Sequence, residues 1–468
     1  MTSDLDSPRP EAPRRHLGVA HATILALGMI MTTDTLKTAP TVALSIGAWH
    51  FYGMWVAGGL LSMVGAMGYV EMASAFPDPG GDYHFLSKAY GRHVGLLFAW
   101  SRFSIMHTGW MALMAFMFAD YAGALLPMSP LGHTAFALAT IAALVGLNLL
   151  HVRFGFLTQA GLVSLVALGF ASVVLAVIKL DLDGALPAVA QVTTPAPTPT
   201  LSQMSVALIY IFLAYGGWSD AATLSAEIRN DRRGMLVTII GSILVLMALY
   251  LALNGAMMVG LGQAGLAHAT APAADLLAKA FGKFGESLIV TVVGVSAIAS
   301  INSTLIVGAR TTYAAARDLP GLTALGRWDG ARGVPARAVL AEGAVAMVLV
   351  VVGGFATSGF NAMVDYMTPV YWFFMMLSMG AVIILRRRFP ETPRPVRTPL
   401  YPLFPVSFLA ISLYMFGASL ADLGVGAVYG AGVMAAGSAV IALLQRRGRR
   451  LAHLPLREKE GPKPSLGG

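Results

Sequence analysis

The stretch FLAYGGWSD at residues 212–220 interrupts a long apolar run with two adjacent glycines, Gly216 and Gly217, followed by polar side chains. Glycine destabilises a helix by about 1 kcal/mol relative to alanine, so the backbone can open here. A second interruption, MTTDTLKTAP at residues 31–40, lies within the first apolar segment. A membrane span that is broken at mid-depth has peptide groups available to bind a solute. We therefore expect the two interruptions to face each other and to form a solute-binding site.

The composition is that of a membrane protein. Hydrophobic residues make up 56% and charged residues 12% of the 468 residues, whereas a soluble globular protein carries roughly 25% charged residues. The chain divides into about twelve apolar runs of ~18–27 residues, each long enough to cross the bilayer as a helix. There is no cysteine, which excludes a disulfide-linked subunit and any site built on cysteine ligands.

The net charge of +8 is explained by membrane topology better than by nucleic-acid binding. One alternate set of connections between the apolar runs contains only Lys179, Lys279 and Lys283, and most other Lys and Arg residues fall in the second set and in the tails. Basic residues accumulate on the cytoplasmic side of membrane proteins. We therefore predict a multi-pass protein of the cell (inner) membrane with both termini in the cytoplasm, in contact with the lipid bilayer and not with nucleic acid.

The chain is predicted to form one transmembrane domain of twelve helices at residues 17–446. Residues 1–16 are polar and rich in proline and are expected to be a disordered cytoplasmic tail, and residues 447–468 a basic cytoplasmic tail. A short amphipathic segment at residues 83–90 is expected to lie along the cytoplasmic face.

The two interrupted spans hold corresponding positions in the chain. One is the first of spans 1–5, at residues 17–179, and the other is the first of spans 6–10, at residues 202–386; spans 11 and 12 follow at residues 402–445. Broken helices at matching positions in two halves are typical of an inverted-repeat transporter with its site near the bilayer midplane.

Four stretches spread over most of the chain carry a family resemblance. They are GYVEMASAFPDPGGDYHFL at residues 68–86, FLAYGGWSDAATLSAEIRNDRRG at residues 212–234, ARTTYAAARDLPGL at residues 309–322, and RRRFPETPRPVRTPLYPLFP at residues 386–405. Together they resemble the amino acid–polyamine–organocation (APC) superfamily, most closely its L-type amino acid transporter branch and related bacterial permeases. The resemblance implies a LeuT-like fold of 5+5 inverted repeats with helices 1 and 6 broken at mid-membrane.

The resemblance also implies where substrate binds, because the unwound parts of helices 1 and 6 hold the substrate in this family. On helix 6 it assigns Gly216, Gly217 and Trp218 to the site or its gate, and the adjacent Tyr215 is a further candidate for stacking on a substrate. On helix 1 the family usually has a glycine-rich bend, and this chain departs from that pattern. The candidate substrate-binding residues there are Thr32, Thr33, Asp34 and Thr35.

Asp34 changes the chemistry expected at the bend. Its carboxylate would oppose a substrate carboxylate and attract a cation, such as a substrate amine, a proton or Na⁺. Alternatively, Asp34 and Lys37, at spacing i,i+3, could neutralise each other without touching a ligand. The sequence leaves both possibilities open.

The candidates for a coupling-ion site are oxygen-bearing side chains of span 8, together with one histidine of span 3. Ser300, Asn302 and Ser303 offer oxygens that suit a hard cation, although small polar residues also pack helices together. His107 can relay protons or serve a structural role. We expect the coupled partner to be a proton, Na⁺ or a counter-substrate.

An inner gate is expected on the cytoplasmic side, where charged groups can exchange partners as helices move. Glu71 and Arg229 are the candidates for this latch. Trp218 is a candidate gate residue that could close the outer path.

The sequence predicts a transporter and not an enzyme. It contains no histidine cluster, nucleophile elbow or phosphate loop, so neither a cofactor nor a metal is expected. The leading hypothesis is a secondary active transporter (permease) that moves an amino acid or related small amine by alternating access. Two alternatives are a polyamine or organic-amine transporter in which Asp34 binds the amine, and a transport-silent membrane sensor on the same fold.

Overall fold

A computed structural model describes residues 23, 27, 31–78, 81–150, 156–187, 198–219, 232–317, 324–329 and 334–452. These residues are almost entirely helical, and the one β-bridge among them joins Asp329 to Val334. The helices, in chain order, are α1 (Thr35–Ala75), α2 (Asp82–Tyr90), α3 (Arg92–Ser101), a π-helical turn (Arg102–Met106), α4 (His107–Leu125), α5 (Pro130–Leu149), α6 (Phe156–Leu182), α7 (Leu201–Tyr215), α8 (Arg232–His268), α9 (Pro272–Arg317), α10 (Ala336–Gly353), α11 (Gly359–Arg388), α12 (Leu403–Asp422) and α13 (Val425–Ala452).

Three of the long helices consist of two arms that meet at a glycine. The kinks lie at Gly47 in α1, Gly262 in α8 and Gly282 in α9, with φ of 66°, 73° and 61°. Positive φ is accessible to glycine at little cost, which explains why each sharp turn falls at this residue. Helix α1 therefore contains the second part of predicted span 1, a tight turn and all of span 2.

The structure is that of an all-helical, polytopic membrane protein. Within the described residues, nine helical segments are long and apolar enough to cross a bilayer. The predicted spans that do not qualify are spans 1, 3 and 6, and each is interrupted: span 1 at residues 31–34, span 3 by the π-helical turn, and span 6 after Tyr215. The total of twelve spans and the repeat relation between the halves remain predictions.

Other boundaries follow the sequence with small differences. The expected amphipathic segment forms α2, directly after the turn rich in proline and glycine. Helix α13 continues to Ala452, past the predicted end of the domain at residue 446. The N-terminal tail, the remainder of the C-terminal tail and most of the loop before α7 lie outside the described residues.

Two groups of helices pack separately around the first interruption. Helix α1 packs along α7 and α8, and these three form what we call the first group. Helices α4, α5, α9 and α10 pack on one another and form the second group. The start of α1, at Thr35, lies where the two groups meet, because residues 33 and 35 contact α9 and α8 respectively.

Candidate functional site

The first interruption lies where the sequence predicts it. Met31 and Thr32 are not helical, Thr33 and Asp34 form a turn, and α1 begins at Thr35. The Thr33 hydroxyl donates to the Ser296 hydroxyl of α9 at 3.2 Å. Residues 31–34 are therefore held against the second group, while the helix that follows belongs to the first.

The second interruption is also present, but it is milder than an unwound segment. Helix α7 ends at Tyr215, Gly216 and Gly217 form a turn, and Trp218 is helical again. Gly216 keeps right-handed helical angles, with φ −59° and ψ −23°, and its N–H donates to the Leu213 carbonyl at 3.2 Å. At Gly216, a hydrogen bond to the residue three positions earlier therefore replaces the α-helical bond to the residue four positions earlier.

Tyr250 of α8 connects the two interruptions. Its buried hydroxyl donates to the carbonyl of Ala214, in the last turn of α7, at 3.1 Å, and it also interacts with the backbone of Thr32. One turn further along α8, Asn254 donates to the Thr35 hydroxyl at 3.4 Å and to the Tyr250 carbonyl at 2.8 Å. Tyr250 and Asn254 thus contact residues at both interruptions, which places the two interruptions close to each other.

Asp34 is fully buried, and one of its carboxylate oxygens has no hydrogen-bond partner among the described residues. Its exposed fraction is 0%; Thr32 donates to Oδ1, the backbone N–H groups of Asp34 and Thr35 also interact with the carboxylate, and Oδ2 accepts no hydrogen bond within the described part of the chain. Asn254 Oδ1, beside Thr35, is also buried without a partner. The polar atoms left unsatisfied on these two residues are therefore both acceptors, and together they suit a ligand group that only donates.

Lys37 does not neutralise Asp34. Its ammonium lies 2.7 Å from the carboxylate of Asp120 in α4 and donates to the backbone carbonyl of Thr270. The hypothesis of an internal Asp34–Lys37 pair is wrong for this structure, because a carboxylate and a carbonyl from other elements take the ammonium. Lys37 is thus paired with Asp120, whereas the carboxylate of Asp34 has no cationic partner among the described residues.

The Lys37–Asp120 pair lies on the wall of a cavity of about 410 Å³. The cavity lies among helix ends on the side predicted to be extracellular, and we call it the Lys37 cavity. Its wall includes Lys37, Thr41, Asp120, His133 and Thr270. His133 Nδ1 approaches the second oxygen of Asp120 at 3.5 Å.

The aromatic residues of the second interruption are fully buried in contacts with other helices. Tyr215 donates to the Trp55 carbonyl of α1 at 3.3 Å, and its ring lies 5.2 Å from that of Tyr250. The Trp218 ring lies 5.2 Å from Tyr69 of α1 and 6.1 Å from Phe408 of α12, with its indole nitrogen unpartnered. Both rings pack between helices, and a role in binding or gating remains a prediction.

The candidates for a coupling ion face different neighbours. Ser300 accepts from the Trp110 indole at 2.9 Å, and Asn302 accepts from Asn148 of α5 at 2.7 Å. Ser303 is exposed on the surface of the bundle and bonds to carbonyls of its own helix. His107 accepts from Arg102 at 2.8 Å. The structure does not gather these four residues into one site.

Glu71, the candidate for the inner gate, has partners that sequence reasoning did not identify. Both of its oxygens accept from the Arg386 guanidinium at 2.6 Å, and Oε2 also accepts from the Thr398 N–H at 2.7 Å. The Arg394 guanidinium lies 3.4 Å from Oε1. We call these four residues the Glu71 cluster. Arg229, the predicted partner, lies outside the described residues.

Sequence reasoning missed Tyr250, Asn254 and Asp120. A signal for Asp120 was available, since an aspartate in the last third of an apolar span requires a cationic partner, and Lys37 is one of few intramembrane cations. Tyr250 and Asn254 carried no such signal, because polar side chains at one-turn spacing also occur in ordinary helix packing.

Comparison with known proteins gives the family. The family described as amino acid permease matches residues 17–443. The serine/threonine exchanger SteT of Bacillus subtilis is 23% identical over 87% of this chain and 91% of its own length. The human b(0,+)-type amino acid transporter 1 is 25% identical over 77% of this chain and 73% of its own length. The rabbit large neutral amino acids transporter small subunit 2 is 24% identical over 86% of this chain and 74% of its own length. The chain belongs to the amino acid permease family of the APC superfamily.

Proposed function

We propose that this permease is a secondary active transporter that moves an amino acid or related small amine by alternating access, with Asp34 binding the amine. The observation that supports this is the buried carboxylate of Asp34, beside a break in the helix, whose Oδ2 has no hydrogen-bond partner among the described residues. A carboxylate in such surroundings is costly unless it is paired with a positive group. A substrate ammonium supplies the missing charge and donors.

The polar groups around the break favour an amine over a carboxylate as the group bound there. Asp34 Oδ2 and Asn254 Oδ1 are acceptors without donors, and an ammonium has three N–H donors and no acceptor. A substrate carboxylate at the same place would face two more oxygens. If the substrate is an amino acid, its carboxylate lies away from Asp34, towards the Gly216 end of the site.

The division of the helices supports alternating access. The first group contains both interrupted helices that are described, α1 and α7, and meets the second group at Thr33 and at Lys37. Rocking of one group against the other exposes the Asp34 neighbourhood first to one side of the membrane and then to the other. From the distribution of charge we assign both termini to the cytoplasm of a cell with this protein in its inner membrane.

The test replaces Asp34 by asparagine and measures binding and transport separately. Thermal-shift titrations with a panel of amino acids and amines identify ligands of the purified protein. For those ligands, Asp34→Asn should weaken binding by roughly 10–100-fold, because a charge-assisted hydrogen bond contributes about 1.5–3 kcal/mol. The matched control is Asp365→Asn, which removes a partly buried carboxylate of α11 that accepts from the Gly424 N–H.

Counterflow of the radiolabelled ligand into proteoliposomes then decides whether binding leads to transport. Counterflow by the wild-type protein, lost or weakened in Asp34→Asn and retained in Asp365→Asn, supports the proposal. Binding without counterflow would show a sensor. Unchanged affinity in a folded Asp34→Asn protein would remove Asp34 from the site.

A further inference from the structure

A second buried carboxylate lies far from the interruptions, within the second group of helices. Glu342 of α10 has an exposed fraction of 0%. Within the described part of the chain it makes one hydrogen bond, which its Oε1 accepts from the Thr312 hydroxyl of α9 at 2.9 Å, and its Oε2 is buried without a partner. The transport mechanism proposed above does not use this group.

The described surroundings of Glu342 favour a proton over a metal cation as its ligand. A Cβ built on Gly308 of α9 would lie 2.2 Å from Oε2 and 2.6 Å from Oε1, so the carboxyl group packs directly against the backbone of α9. A sodium ion needs several oxygen ligands around it, and Thr312 supplies the one hydroxyl that contacts the carboxyl group. A proton adds to a carboxylate without requiring extra volume or ligands.

One cation lies close enough to respond to the charge of Glu342. Arg102, in the π-helical turn, interacts electrostatically with Glu342. Its Nε donates to His107 Nε2 at 2.8 Å, so this nitrogen carries a lone pair and His107 is neutral. Among the described residues, the groups facing Glu342 that bear a charge or can titrate are thus Arg102 and, behind it, His107, whereas α9 offers the hydroxyl of Thr312.

The π-helical turn gives Arg102 its position. Such turns inside α-helices occur frequently at functional sites. Here the Tyr366 hydroxyl of α11 donates to the Ser104 carbonyl at 2.9 Å, which satisfies a backbone group within the altered turn. Arg102 therefore sits on a local irregularity of span 3 that faces α9 and α10.

We propose that Glu342 is the proton-binding site that couples transport in this protein, with Arg102 as the cation that exchanges partners. When the carboxyl is protonated, Arg102 bonds to His107, as in this structure. Loss of the proton to water leaves a carboxylate that draws Arg102 from His107, which shifts the π-helical turn against α9 and α10. Glu342 lies about 9 Å along α10 from its start at Ala336, on the side predicted to be cytoplasmic.

This inference rests on the proposed transport function, and its test separates the two. The variant is Glu342→Gln, which keeps the shape and the acceptor for Thr312 but cannot titrate; Glu286→Gln, at a partly exposed position of α9, is the control. Three measurements are made on purified protein and proteoliposomes. They are counterflow of a radiolabelled ligand at equal pH, accumulation of that ligand driven by a pH gradient, and the infrared C=O band of protonated carboxyl groups.

The expected result is that Glu342→Gln retains counterflow within about twofold of the wild type, loses accumulation driven by the pH gradient, and lacks one protonated-carboxyl band. Accumulation equal to that of the wild type, or an unchanged infrared spectrum, would overturn the proposal. If the wild-type protein shows counterflow but no accumulation under a pH gradient, the proton site fails and the transport function stands. If it shows no counterflow, the transport function fails and the infrared band alone decides whether Glu342 holds a proton.

A second variant covers the case in which Glu342→Gln does not fold. Thr312→Val keeps the carboxyl group and removes the hydroxyl that donates to it. For a protonated Glu342 the C=O band should move to higher frequency, because its carbonyl oxygen loses a hydrogen bond. An unmoved spectrum in a folded Thr312→Val protein would count against the site.

Discussion

Helix α1 is attached to other helices by charge at two places, and the two attachments differ mainly in the number of groups that hold the carboxylate. Near its start, Lys37 forms one ion pair with Asp120, and the carboxylate is 19% exposed at the wall of the Lys37 cavity. Near its end, Glu71 is 3% exposed and receives four hydrogen-bonding or ionic contacts from Arg386, Arg394 and Thr398. The exposures of the two main pairs are similar, at 8% and 19% for Lys37 and Asp120 and 19% and 3% for Arg386 and Glu71, so the attachments differ in charge: one cationic lysine faces Asp120, whereas two arginines face Glu71.

The difference indicates which attachment yields more easily. The Lys37–Asp120 pair borders a cavity and contains a single cationic side chain other than a histidine, so water in the cavity can solvate both partners when they separate. A buried carboxylate with several donors is held by geometry, and removing one partner leaves uncompensated charge. We infer that the Lys37 side opens at modest cost, and that the Glu71 cluster holds α1, α11 and the following turn together in this conformation.

The largest effect is expected from Glu71→Gln. The amide directs N–H groups at arginine donors and leaves two guanidinium groups without their carboxylate, which costs about 3–5 kcal/mol of folding stability. Thermal unfolding of the purified protein in detergent should show a clearly lowered midpoint. Glu391→Gln, at an exposed position in the same proline-rich turn, is the control and should match the wild type. Equal midpoints for all three proteins would mean that the cluster is not a structural tie.

An intermediate effect is expected from Asp120→Asn. Lys37 keeps the Thr270 carbonyl but loses its counter-charge, which favours opening of the Lys37 cavity by about 1 kcal/mol, or roughly fivefold. Because the chain has no cysteine, Thr41→Cys places one reactive thiol in the cavity wall. Its labelling rate with a membrane-impermeant maleimide should rise in the Asp120→Asn background. A rate that rises equally with Asp183→Asn would show that the ion pair does not control access.

The smallest effect is expected from the exposed pair Lys179–Asp183, which provides a standard for the other two. Its atoms lie 2.5 Å apart, yet the side chains are 44% and 52% exposed. Exposed i,i+4 pairs contribute about 0.3–0.5 kcal/mol. Asp183→Asn should therefore leave the thermal midpoint within experimental error of the wild type. A loss comparable to that of Glu71→Gln would show that distance, and not burial, decides the strength of these pairs.

Much of the architecture could be predicted from local properties of the sequence. Apolar run length placed the helices, Gly216 and Gly217 marked the break after α7, and the polar run at residues 32–35 marked the break before α1. These signals are local, because hydropathy and glycine content act within one or two turns of helix.

The partners of the charged residues could not be predicted in the same way. The i,i+3 rule suggested that Lys37 would meet Asp34, but it takes no account of Asp120 on another helix competing for the ammonium. Arg386 is 315 positions from Glu71, and no local pattern connects them. The sequence also did not show that Gly216 would keep helical backbone angles, because glycines permit a helix to unwind without requiring it.

The Glu71 cluster has a consequence for how the protein is made. The N–H of Thr398 that completes it is 327 positions from Glu71. At the usual rate of translation, roughly 5–20 residues per second, the carboxylate waits between about a quarter of a minute and a minute for that partner. The carboxylate of Glu71 therefore lacks these partners until most of the chain has been synthesised. A chain stalled before residue 386 would be a membrane-bound intermediate that quality-control proteases can degrade.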